Sequence, residues 1–84
     1  MSKVLSDHKD SEHFSYTRNW DEIESMLSDA ERVKNMHYIN YLEYKEYKDK
    51  DKTLYHLRNY KALEGVVKTL RWVLGDMNIR TPLK

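Results

Sequence analysis

YKALEGVVKTLRWVLGDM, residues 60–77, decides the fold. Tyr60, Leu63, Val67, Leu70, Leu74 and Met77 follow one another at alternating steps of three and four. That is the period of one helix face, and Val66 and Val73 widen it. The stretch predicts a core-facing helix against which the rest of the chain must pack. Gly75 suits the left-handed position that ends such a helix.

Upstream, KDKDK (residues 48–52) carries no apolar side chain and reads as a helix-to-helix turn, with Asp51 or Thr53 capping the second helix. Before it, Trp20, Ile23, Leu27 and Ala30 share one side, and the stripe continues through His37 or Tyr38 to Tyr41 and Tyr44. Asn19 is a suitable cap, with Asp21, Glu22 and Glu24 at the positive end of the helix dipole. One helix from about Trp20 to Lys48 is expected. Ser28 and Glu31 form a capping-box pattern that would instead restart it and leave a short leading helix. Two long helices and a short turn predict an all-α fold, an antiparallel helical hairpin spanning residues 18–77. A turn centred near Lys50 sets Leu27 against Leu74, Ala30 against Leu70 and Tyr41 against Tyr60. Residues 1–17 are polar and mixed in charge and are expected to be flexible, with Phe14 and Tyr16 as anchors if they dock. Residues 78–84 read as an extended tail, because Thr81 before Pro82 disfavours helix.

Eighty-four residues with a mean hydropathy of -0.94 allow one domain and a narrow core. No apolar run is long enough to span a bilayer, and there is no cysteine for disulfide, thiol catalysis or thiolate metal binding. A soluble, cytoplasmic protein is expected. Net charge is only +1 but is unevenly placed: residues 1–35 sum to -3 and residues 54–84 to +4.

The tyrosines at 38, 41, 44 and 47 advance about 300° per step, so the row drifts around the helix. Tyr41 should point inward, Tyr38 and Tyr44 should flank it, and Tyr47 should point away. They read as amphipathic residues at the edge of the core or as an association surface. On the back of the helices, Met36, Ile39 and Trp72 are apolar where solvent is expected. Gly65 implies that something approaches closely. Both helices thus carry apolar groups on two sides, which one hairpin cannot cover. A homo-oligomer (a dimer, making a four-helix bundle) or another protein partner is therefore expected; alternatively the N-terminal segment or the C-terminal tail folds over Trp72. Arg58, Lys61, Lys68 and Arg71 form a basic face that reads as solvated or, alternatively, as a track for nucleic-acid phosphates.

Nothing points to chemistry. There is no glycine-rich phosphate loop, no Gly-x-Ser-x-Gly and no Glu-x-x-His on either long helix. His8 and His13 lie among carboxylates at irregular spacing, and His37 and His56 read as edge-of-core residues. No catalytic residue, metal or cofactor is expected. A non-enzymatic interaction module is the function this sequence favours.

Overall fold

The computed structural model describes residues 17–84 and is an antiparallel helical hairpin. Helix α1 runs Trp20–Glu46 and α2 runs Lys50–Val73. The described residues contain no strand. Residues 1–16, and with them the expectations for Phe14, Tyr16, His8 and His13, lie outside the described residues.

Local chemistry fixes each helix end. At the start of α1 the Asn19 side chain accepts from the Glu22 amide at 2.8 Å, and the Glu22 carboxylate accepts from the Asn19 amide at 3.3 Å. This reciprocal capping box satisfies two orphan donors. It sits nine residues before the Ser28 pattern, and α1 continues through Ser28 without a break. With the first turn already capped at Asn19, the Ser28–Glu31 pattern has no free helix terminus to serve.

Only Tyr47, Lys48 and Asp49 separate the helices. Lys48 takes the left-handed conformation, with φ 60°. Its amide bonds the Lys45 carbonyl, and the Asp49 amide bonds the Tyr44 carbonyl. These two bonds form a Schellman closure of α1. Asp49 then caps α2, its carboxylate accepting from the Lys52 amide at 3.1 Å. The turn is therefore shorter than KDKDK, and neither Asp51 nor Thr53 is the cap. Lys50, Asp51 and Lys52 form the first turn of α2, because an acidic cap at Asp49 already satisfies the amides there. The turn is centred on Lys48, and the pairs across the seam stay close to the expected register. Glu31 meets Arg71, Tyr38 meets Tyr60 and Tyr44 meets His56.

The unequal helix lengths, 27 and 24 residues, account for two departures from the expected core. Helix α1 overhangs the end of α2 by about one turn, so Trp20 is exposed. Met77 lies past the end of α2 and is almost fully exposed. Closure of α2 repeats the first motif: Gly75, φ 93°, donates to the Trp72 carbonyl, and the Asp76 amide bonds the Arg71 carbonyl. Beyond it the chain does not run straight. The Asp76 carboxylate and carbonyl accept from the Asn78 and Ile79 amides, and this turn sends the tail back along α2. Pro82 comes beside Gly65 and Thr69, and Lys68 Nζ donates to the Lys84 carbonyl.

The seam is narrow. Ala30 and Val67 are buried, with His37 beside them, while Ile23, Leu27, Tyr41, Tyr60, Leu63, Leu70 and Leu74 are half-buried. A seam this thin leaves much apolar surface outside it.

Candidate interaction surface

Residues on a helix advance about 100° each, so the positions flanking the seam fall on two sides of the hairpin. The contacts assign them. Glu31 and Arg71 pair at 2.6 Å on one side, where the Tyr38 and Tyr60 rings also lie 5.1 Å apart. Met26 and Leu70 border a common hollow on the other side, where Tyr55 stands edge-on to His37 at 6.1 Å.

The two sides differ in chemistry. The first side of α2 carries Lys61, Glu64, Lys68 and Arg71. The second side of α2, between Thr53 and Val73, carries Tyr55, Asn59, Ala62, Val66, Leu70 and Val73 and no charged residue. On α1 the same side carries Met26, Val33, Met36 and Asn40, and among them Glu22 and Asp29, with Glu43 further out. Met36 is 47% exposed and Val66 is 42% exposed. This second side, uncharged on α2 and acidic on α1, is the candidate site. Helix periodicity could have revealed it, since Tyr55, Ala62, Val66 and Val73 recur at steps of seven, four and seven. The wide apolar stripe of α2 masks them as mere extensions of the core.

Other expected association residues are scattered around it. Tyr41 and Tyr44 are half-buried, Tyr38 is partly exposed and Tyr47 projects from the turn. Tyr38 lies on the charged side. Ile39, 63% exposed, and Trp72, 47% exposed, lie on the outer edges of α1 and α2 respectively. A Cβ added at Gly65 would meet nothing within 4 Å, so no part of the described chain presses on it. Pro82 forms the far wall of a shallow hollow over Ala62, Gly65, Val66, Thr69 and Leu70.

A cluster of rings sits at the turn end of the seam. His37 and His56 face each other through Nδ1 at 2.9 Å. Tyr44 stacks on His56, the planes 1° apart, and Tyr55 meets the same imidazole edge-on. Lys52 Nζ lies 5.2 Å from the Tyr44 ring centre, adding a cation–π contact. Sequence reading placed His37 on the stripe but began the α2 stripe at Tyr60. His56, one turn earlier, continues it. Among the described residues, no Cys, Asp, Glu or further His joins the pair to make a group of three metal ligands.

The basic face is largely engaged. Arg71 binds Glu31 and lies 3.8 Å from Asp76, and the Glu31 carboxylate raises the guanidinium pKa further above its ordinary value. Lys61 lies 3.5 Å from Glu64, Lys68 holds the tail, and Arg58 is exposed. Among the described residues no helix is long and apolar enough to cross a membrane. No protein family matches this chain, and comparison with curated proteins and with solved structures gives no match.

Proposed function

We propose that this chain is a small non-enzymatic interaction module that acts by covering a protein surface with the side of its hairpin that is uncharged on α2. One observation carries the reading: Tyr55, Ala62, Val66 and Val73 form a second apolar stripe on α2, outside the seam with α1, and all four are exposed. A solvated helix back would be charged, and an apolar stripe of this length is costly unless covered. A helical bundle is the natural product of covering it. A cytoplasmic setting belongs to the same proposal, and a cysteine-free chain is compatible with it.

Val66→Arg tests the reading. The side chain is exposed, so the hairpin should fold with unchanged helix content by circular dichroism. Self-association, or retention of a specific protein from the source cell, should be lost. If neither the wild type nor the variant associates with anything, the reading fails.

Nucleic-acid binding through Arg58, Lys61, Lys68 and Arg71 is the less favoured reading, because three of these cations already hold partners within the chain. Binding to DNA or RNA that weakens steeply with salt, and weakens further in Lys61→Glu, would reverse that preference.

A further inference from the structure

We infer that this second side takes a second copy of this chain, with α1 of each copy lying along α2 of the other and the two-fold axis parallel to the helices. This rests on the interaction reading above and names its partner. Three observations carry it.

The first is charge. Helix α1 holds seven acidic and three basic residues, net -4, whereas α2 holds six basic and two acidic, net +4. Two hairpins can meet face to face about a two-fold axis in two ways. With the axis across the helices, α1 lies on α1 and α2 on α2, setting like charges together. With the axis along the helices, each acidic helix lies antiparallel on a basic one. The attraction is between whole-helix charges, since the α2 half of the docking side itself carries none.

The second is register. An axis along the helices preserves height, so the levels within one hairpin carry over to the dimer. The Tyr38–Tyr60 pair sets those levels. Val33 then stands level with Val66 of the second copy, and Met36 with Ala62 of the second copy. Asn40 falls level with Asn59 of the second copy. Apolar meets apolar and amide meets amide, and an amide pair in an apolar seam is a device that fixes register. Each contact occurs twice, as an isologous interface requires.

The third is size. From Thr53 to Val73 the side is about 30 Å long and two helices, about 20 Å, wide. Roughly 600 Å² per copy, with Pro82 of the tail bordering its Ala62–Val66–Leu70 margin, is at the low end against the ~800 Å² per partner of a standard stable interface.

The chain has no native cysteine, so oxidative cross-linking has no background. Met36→Cys and Ala62→Cys variants are made separately, mixed as folded proteins and oxidised. Both positions are exposed. A covalent dimer is expected in the mixture and not in either variant alone. A covalent dimer in Met36→Cys alone, at equal yield, overturns the orientation. No covalent dimer in any sample overturns the second copy as occupant. The interaction reading would then be judged separately, by whether Val66→Arg abolishes retention of a different protein.

Discussion

His37 Nδ1 and His56 Nδ1 lie 2.9 Å apart across the seam, joining the middle of α1 to the first two turns of α2. A hydrogen bond between two like nitrogens needs one ring to donate and the other to accept, so the pair fixes opposite tautomers. His37 is buried. Removing its partner leaves a polar atom with poor access to water, whereas removing both leaves an apolar contact. His56→Leu should therefore cost about 1–3 kcal/mol, and His37→Leu/His56→Leu should cost less than the sum of the single variants. Urea denaturation of the four proteins measures this coupling. Additive costs would mean that the rings do not bond.

Lys48 holds a left-handed conformation that favours glycine, and its Cβ carries the strain. Lys48→Gly should raise stability by about 1 kcal/mol, or several degrees in Tm. Gly75, at the same place in the closure of α2, should respond in the opposite sense, with Gly75→Ala destabilising. Thermal melts of the two variants check the pair together.

Gly65 lies within α2 with open space around it. Gly65→Ala should stabilise the hairpin by about 1 kcal/mol, since helix propensity is gained and nothing is displaced. Differential scanning calorimetry measures the gain. A loss would show that some surface does approach this position, as the sequence alone implied.

Glu22 links the capping box to pH. Its hydrogen bond from the Asn19 amide, then its bond to Arg18, hold the carboxyl below its ordinary pKa. A lowered folded value means that the stabilisation is complete above the unfolded pKa, about 4.3. It is lost as pH falls through the folded value. The wild type should be more stable than Glu22→Gln at pH 7, and the difference should shrink below about pH 4 as the carboxyl protonates. Melts monitored by circular dichroism between pH 7 and pH 3 test this.

Much of this fold is legible in the sequence. Three-and-four spacing from Tyr60 to Leu74 and from Ile23 to Tyr41 suffices for two facing helices, because only an antiparallel hairpin buries both stripes with so short a turn. The turn itself is misread where charge suggests more loop than exists. KDKDK looks solvated throughout, yet a lysine in the left-handed region and an aspartate cap close it within three residues. The His37–His56 contact stays hidden because the α2 stripe is begun at Tyr60, one turn after His56. The tail is misread because Pro82 excludes helix without fixing direction, and the direction comes from the Asp76 turn and from Lys68 reaching the Lys84 carbonyl. The second apolar stripe of α2 is present in the sequence but becomes separable from the core only once Glu31–Arg71 and Met26–Leu70 mark opposite sides of the seam.

Light scattering of the wild-type chain and Val66→Arg at about 100 µM, near neutral pH, tests the central claim most directly. The account predicts twice 10.2 kDa for the wild type and 10.2 kDa for the variant, with equal helix content. A wild type that scatters as a single 10.2 kDa chain, or a variant that remains a dimer, would contradict it.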